Sequence, residues 1–142
     1  SGVSTPAPSD YHAKLAATNA VDKNFILQNL GKLKLLDTRT PAEFGGTDVR
    51  AAKAGHIPGA KNLDWTLAMD RANNFKLKPE AELRALLAER GITSGDEIVA
   101  YCQTHHRSAH TYTWLKALGY RVKGYPGAWS DWGNDPATPV ET

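Results

Sequence analysis

The connection between one buried strand and the helix that follows it constrains this chain more than any other feature. Residues 98–101 form an apolar run, Ile-Val-Ala-Tyr, which is typical of a buried parallel strand. Thr111, Trp114 and Leu118 then follow at i, i+3 and i+7, the spacing of a helix that buries one face. Only a short polar segment separates the two, so the chain must turn sharply at the carboxyl end of the strand.

Strands and helices alternate along the whole sequence. Predicted strands cover 11–17, 33–36, 60–65, 98–101 and 120–123, and predicted helices or helical turns cover 22–30, 41–44, 66–69, 79–90, 111–118 and 126–132. This alternation is typical of an α/β layer fold with a largely parallel sheet, in which ligands gather at the carboxyl ends of the strands. Asp37 and Cys102 each follow or end such a strand, so we expect them to be neighbours.

Composition narrows the classes of partner. The 142 residues fit one domain, with residues 1–9 predicted as a linker or expression scar and residues 10–142 as the folded domain. A net charge of +2 without a Lys/Arg block predicts no nucleic-acid partner. The sequence contains no apolar run of about 18 residues, so we expect no membrane span. A single cysteine excludes an internal disulfide and favours a reducing compartment, so we expect a cytoplasmic protein.

The segment from Cys102 to Arg107 predicts a reactive thiolate. Four residues separate the two side chains, and so short a connection must curl around the sulfur. Its N–H groups, the start of the next helix and the charges of His105, His106 and Arg107 would all favour an anion on Cys102. The alternative is a structural cysteine at a tight turn, which does not explain the five polar or basic residues after an apolar strand.

Four motifs resemble the rhodanese family and occur in that family's order. They are residues 35–44 (Leu-Leu-Asp-Thr-Arg-Thr-Pro-Ala-Glu-Phe), 55–60 (Gly-His-Ile-Pro-Gly-Ala), 101–108 (Tyr-Cys-Gln-Thr-His-His-Arg-Ser) and 124–129 (Gly-Tyr-Pro-Gly-Ala-Trp). The resemblance covers about residues 11–140. The chain is most similar to the C-terminal catalytic domain of bacterial two-domain thiosulfate sulfurtransferases whose loop reads Cys-Gln-Thr-His-His-Arg.

The resemblance implies a rhodanese-like fold, a small largely parallel sheet with helices on both faces. It also implies a sulfurtransferase that works by double displacement. Cys102 would take the outer sulfur of a small-molecule donor such as thiosulfate and pass it from a persulfide to an acceptor such as cyanide or a thiol. The family needs no metal and no organic cofactor. A missing N-terminal rhodanese domain is a further implied partner, and a single-domain version is the alternative.

Site residues follow from the same resemblance. The implied substrate-binding residues are Gln103, Thr104, His105, His106 and Arg107, and the implied supporting residues are Asp37 and Arg39. Arg107 has two open roles, because it could bind the donor anion or pair with a carboxylate.

Other residues near the motifs have simpler expectations. Glu43 stands where better-studied relatives carry a substrate-binding arginine, so it should repel a dianionic donor unless it pairs with Arg39 or Arg107. His56 is expected to make a structural hydrogen bond. Trp65 is expected to pack in the core or to wall the pocket.

Three alternatives belong to other functional classes. Cys102 and His105 have the spacing C-x2-H and His106 and His110 lie four apart, a zinc-like set, although an inward-turned sulfur would keep these side chains from converging. A non-catalytic rhodanese module would only bind partners, but such modules typically lack the cysteine. The related dual-specificity phosphatases have one more residue between cysteine and arginine, in a wider cradle that fits phosphate.

Overall fold

The computed structural model describes residues 20–74, 76–103 and 106–142, except for the side chain of His106. The linker predicted at 1–9 and the strand predicted at 11–17 lie outside the described residues, so the domain start at residue 10 stays a prediction. None of the helices within the described ranges is long and apolar enough to cross a bilayer.

Four parallel strands form the central sheet in the order β2-β1-β5-β6. They are β1 (Lys34–Asp37), β2 (Lys61–Asn62), β5 (Glu97–Tyr101) and β6 (Arg121–Gly124). A separate antiparallel pair consists of β3 (Met69–Asp70) and β4 (Lys76–Leu77). The helices are α1 (Lys23–Gln28), α2 (Pro41–Gly45), α3 (Glu80–Ala88), α4 (His106–Ala117) and α5 (Ala128–Trp132), with 3-10 turns at Trp65–Ala68 and Arg71–Asn73.

The predicted α/β fold with helices on both faces of a parallel sheet is confirmed. Alternate residues of β5 enter two separate cores, because successive side chains of a strand point to opposite faces. Ile98 packs with α3 and α4 on one face, whereas Val99 packs with α1 and α5 on the other. Each face of the sheet is therefore covered, as a parallel sheet requires.

One predicted boundary was wrong, and one pair of strands was missed. The strand predicted over 60–65 ends at Asn62, because the Asp64 carboxylate accepts a hydrogen bond from the Thr66 N–H and starts a 3-10 turn. The pair β3–β4 was not predicted at all. In two-residue strands the alternation of apolar and polar residues is too short to be recognised in the sequence.

Register places the end of β1 beside the end of β5. Asp37 is the partner of Tyr101, and the Thr38 N–H donates to the Tyr101 carbonyl at 2.9 Å. The segments after Asp37 and Tyr101 therefore leave the sheet side by side. The expected proximity of Asp37 and Cys102 follows from this register.

The C-terminal segment packs directly against the backbone of Gly55. His56 and Glu141 exchange backbone hydrogen bonds of 2.8 and 2.9 Å. Gly55 has φ +108°, and a Cβ atom built on it would lie 2.0 Å from the Glu141 carbonyl oxygen. Only glycine fits this conformation and this approach.

We predict that Gly55→Ala lowers the free energy of unfolding by about 3 kcal/mol, since left-handed strain adds to a backbone clash. Gly59→Ala is the matched control, because Gly59 also has a positive φ (+83°) but no atom of the described residues lies within 4 Å of a built Cβ. It should cost only about 1 kcal/mol. Urea unfolding of both variants tests this, and equal losses would contradict the assigned clash.

Candidate active site

Cys102 lies directly after β5 and is buried, with 1% of its surface exposed. The N-terminal part of α5 holds the backbone of the loop that begins there. The Trp129 N–H donates to the Cys102 carbonyl at 2.9 Å, and the Ser130 N–H donates to the Gln103 carbonyl at 3.0 Å. Both carbonyl oxygens are therefore hydrogen-bonded to α5.

A strained residue allows this contact. Ala128 is buried and has φ +55°, a left-handed conformation that is uncommon for residues other than glycine. It directly precedes Trp129, whose N–H reaches the Cys102 carbonyl. Strain of this kind persists only where the surroundings enforce it and is frequent at functional sites.

A buried hydroxyl contacts the sulfur. Ser108 Oγ donates to Cys102 Sγ at 3.4 Å, and Ser108 is fully buried in the first turn of α4. A hydroxyl donor stabilises a thiolate better than apolar packing does. No role was predicted for Ser108 from the sequence. Its helical spacing with Thr111 and Leu115, on the face of α4 that packs against the sheet, is a signal that could have identified it.

The predicted cradle around the sulfur is described only in part. Thr104 and His105 lie outside the described residues, and nothing is described of the His106 side chain. Their roles as substrate-binding residues and the inward direction of their N–H groups stay predictions. Gln103 is described: its Nε2 donates to the Arg50 carbonyl at 3.1 Å, and its buried Oε1 has no hydrogen-bond partner among the described residues.

Arg107 pairs with Glu43 in a two-pronged ion pair. Arg107 Nη1 donates to Oε1 at 2.8 Å and Nη2 donates to Oε2 at 3.0 Å. Of the two roles open to Arg107, carboxylate pairing is the one in this structure. The pair joins α2 to the start of α4, across 64 residues of sequence, and so fixes the far end of the Cys102 loop.

Hydrogen bonds at the start of α2 position the Glu43 carboxylate for this pairing. Thr40 and Glu43 form a capping box at the start of α2, and the Thr40 N–H and hydroxyl both donate to the Glu43 carboxylate. Burial alone would raise the pKa of Glu43, but the hydrogen bonds from Arg107 and Thr40 outweigh it and lower the pKa to about 2. The carboxylate is therefore ionised throughout the neutral range.

Asp37 and Arg39 form a second, fully buried ion pair. Arg39 Nη2 donates to Asp37 Oδ2 and to the Gly55 carbonyl, each at 2.6 Å. The guanidinium also lies over the Trp129 ring, 4.7 Å from its centroid. Burial would lower the pKa of Arg39, but its hydrogen bonds to the Asp37 carboxylate raise it. One side chain thus joins the end of β1, the Gly55 turn and α5.

Two other residues considered from the sequence have structural contacts. His56 stacks on Phe44 with a centroid separation of 3.6 Å, and its Nδ1 lies 2.8 Å from the Phe44 carbonyl oxygen. The expected structural hydrogen bond of His56 is confirmed. The rings of Trp65 and His110 pack edge to face, with their centroids 5.5 Å apart.

The zinc-like set stays a prediction. His105 lies outside the described residues, and no His106 side chain is described. Within 20–74, 76–103 and 106–142, no group of three His, Cys, Asp or Glu side chains could hold a metal ion. The Nδ1 atom of His110 is buried and has no hydrogen-bond partner within the part of the chain that the structure describes.

The Glu43–Arg107 pair predicts an acid dependence of stability. Because the folded pKa is below the ordinary value, the stabilisation is present above about pH 4.5 and is lost as the pH falls towards 2. The wild type should lose about 3 kcal/mol more than Glu43→Gln between these limits. Urea unfolding at a series of pH values measures this difference.

Glu82→Gln, which removes an exposed carboxylate on α3, serves as the control and should follow the wild type. Parallel acid profiles for the wild type and Glu43→Gln would contradict the assignment.

Comparison with known proteins agrees with this geometry. Residues 22–135 match the rhodanese-like domain. Thiosulfate sulfurtransferases of Pseudomonas aeruginosa and Azotobacter vinelandii are each 47% identical, over 98% and 96% of this chain. The chain spans about half the length of these relatives, 50% and 51%. The sulfur carrier protein TtuD of Thermus thermophilus is 42% identical over 78% of this chain and 41% of its own length.

Solved structures give the same fold. An anaerobic ergothioneine biosynthesis enzyme from Chlorobium limicola, in complex with trimethyl histidine, superimposes with a TM-score of 0.79 at 26% identity. The match covers 87% of this chain and 32% of that one. The domain match, the two close relatives and the shared fold lead to one conclusion, that this chain belongs to the rhodanese-like domain family.

Proposed function

We propose that this domain is a thiosulfate sulfurtransferase of the rhodanese type, with Cys102 as the sulfur carrier. The observation that carries the proposal is the Ser108 hydroxyl on the buried sulfur of Cys102, at the junction of β5 and α4. The relatives at 47% identity support thiosulfate as a donor. A persulfide is also described for a solved relative, EanB, which is 25% identical to this chain.

In the first half-reaction the Cys102 thiolate attacks the outer sulfur of thiosulfate. A sulfur–sulfur bond forms to Cys102, the sulfur–sulfur bond of the donor breaks, and sulfite leaves with the electron pair. The charge balances, because a thiolate and a dianion become a persulfide anion and a dianion. This is nucleophilic catalysis, with ping-pong kinetics expected.

In the second half-reaction an acceptor such as cyanide attacks the outer sulfur of the persulfide. The Cys102 thiolate departs with the electron pair, and thiocyanate is the product. The Ser108 hydroxyl donates to the same sulfur atom both when it is nucleophile and when it is leaving group. No proton transfer is needed in either step with these substrates.

The remaining roles are extensions of this proposal. Gln103, Thr104, His105 and His106 would contact the donor, while Asp37 and Arg39 support the loop through Trp129. No metal or organic cofactor takes part in either step. Action in the cytoplasm and a second rhodanese domain stay predictions.

Intact-mass measurement tests the carrier role of Cys102. We expect incubation with thiosulfate to add one sulfur atom to the protein, and cyanide then to remove it as thiocyanate. Cys102→Ala should do neither. An unchanged mass after thiosulfate and other sulfur donors would contradict the proposal and favour a domain that only binds partners.

We predict that Ser108→Ala slows persulfide formation about tenfold, because one hydrogen bond to a charged atom contributes about 1.5 kcal/mol. Ser108→Thr keeps the hydroxyl and should restore most of the rate. Thr113→Ala, which removes an exposed hydroxyl on the same helix, is the control and should react like the wild type. Rapid quenching and mass measurement give the rates, and a wild-type rate for Ser108→Ala would exclude a role for its hydroxyl.

A further inference from the structure

The two peptide groups that flank the Cα atom of Cys102 are both held by donors outside the loop. On one side, the Tyr101 carbonyl accepts hydrogen bonds from Thr38. On the other side, the Cys102 carbonyl accepts from the Trp129 N–H at 2.9 Å. A peptide group is planar, so a fixed carbonyl also fixes the N–H group on its opposite edge. The backbone torsions of Cys102 are therefore set by Thr38 and Trp129.

Thr38 makes two separate hydrogen bonds to the Tyr101 carbonyl. Its N–H donates to the oxygen at 2.9 Å, and its hydroxyl donates to the same oxygen at 3.1 Å. A carbonyl oxygen has two lone pairs, so these two bonds satisfy it fully. The first bond uses the backbone and is open to almost any residue. The second bond requires a serine or threonine at this position.

The hydroxyl of Thr38 faces the backbone and not a substrate. Thr38 is fully buried, and its own carbonyl accepts from the Trp65 N–H at 3.1 Å. The carbonyl of Asp37 accepts from the Leu63 N–H at 2.9 Å, which holds the same segment one residue earlier. A hydroxyl has one proton, and here that proton is given to the Tyr101 carbonyl. Any effect of the hydroxyl on the reaction therefore passes through the backbone of the loop.

The position of the Cys102 sulfur follows from these backbone torsions, because they set the direction of the Cα–Cβ bond. The sulfur lies 3.4 Å from the Ser108 hydroxyl oxygen. A hydrogen bond weakens steeply as its geometry departs from the favourable one. A looser peptide group between Tyr101 and Cys102 would therefore weaken the contact of the sulfur with Ser108.

We infer that Thr38 is a positioning residue for sulfur transfer, which holds the Cys102 sulfur against the Ser108 hydroxyl. It does so by anchoring the carbonyl of the residue before the nucleophile. The inference rests on the proposed sulfurtransferase function. It adds to that function a residue for which the sequence predicted no role.

Thr38→Val tests the inference, because it keeps the shape and the N–H and removes the hydroxyl alone. We expect the maximal rate of persulfide formation from thiosulfate to fall about fivefold, the effect of one neutral hydrogen bond. The half-saturating thiosulfate concentration should change less than about twofold, since Thr38 acts on the nucleophile and not on the donor. Thr38→Ser should restore most of the rate. Rapid quenching and mass measurement over a range of thiosulfate concentrations give both quantities.

A double-mutant cycle tests the route through Ser108. If Thr38 acts by holding the sulfur against that hydroxyl, its own hydroxyl has little left to do once the Ser108 hydroxyl is gone. Thr38→Val in the Ser108→Ala background should therefore slow persulfide formation less than about twofold. A full fivefold loss in both backgrounds would overturn the inference, as would a wild-type rate for Thr38→Val.

Thr138→Val is the matched control. Thr138 is also buried, and its hydroxyl also donates to a backbone carbonyl, that of Trp132, away from the Cys102 loop. This variant should lose stability in urea but form the persulfide at the wild-type rate, and an equal loss of rate would overturn the inference.

If Thr38→Val does not fold, Thr38→Ala removes the same hydroxyl and should show the same fivefold loss, whereas a wild-type rate for it would overturn the inference. Absence of a persulfide in the wild type would instead refute the proposed function, so the two failures are distinguishable.

Discussion

The rest of the site depends on the backbone hydrogen bonds between α5 and the residues that directly follow β5. The strand ends at Tyr101 and α4 begins at His106. The intervening loop is so short that it can adopt few backbone conformations. Hydrogen bonds from Trp129 and Ser130 to the Cys102 and Gln103 carbonyls fix its first half. The carbonyl oxygens are thereby taken up by α5. The Ser108 hydroxyl donates to the sulfur from the first turn of α4.

Two ion pairs join the elements around this arrangement. Asp37–Arg39 joins β1 to α5, and Glu43–Arg107 joins α2 to the start of α4. Buried ion pairs are weak sources of net stability, because desolvation offsets much of the attraction, but loss of one partner leaves a costly unpaired charge. Their contribution here is the geometry of the elements that they join.

The sequence was informative wherever a pattern is local. Residues 98–118 indicate the strand, the sharp turn and the helix, and the four motifs indicate the family. Pairing of Glu43 with Arg107 could only be left open, because the two residues are 64 positions apart and neither carries a pattern that names its partner. Ser108 was missed for a related reason, since a serine in the first turn of a helix is commonly exposed or a cap. The pair β3–β4 left no readable pattern in two-residue strands.

The central claim is that the backbone and Ser108 together hold a negatively charged sulfur at the junction of β5 and α4. A crystal structure of the protein after treatment with thiosulfate tests it most directly. Our account predicts a second sulfur atom on Cys102, Ser108 Oγ still within hydrogen-bond distance of Sγ, and N–H groups of residues 104–106 directed at the outer sulfur. A thiosulfate-treated protein with an unmodified Cys102, surrounded by apolar side chains and without N–H groups aimed at it, would contradict the account.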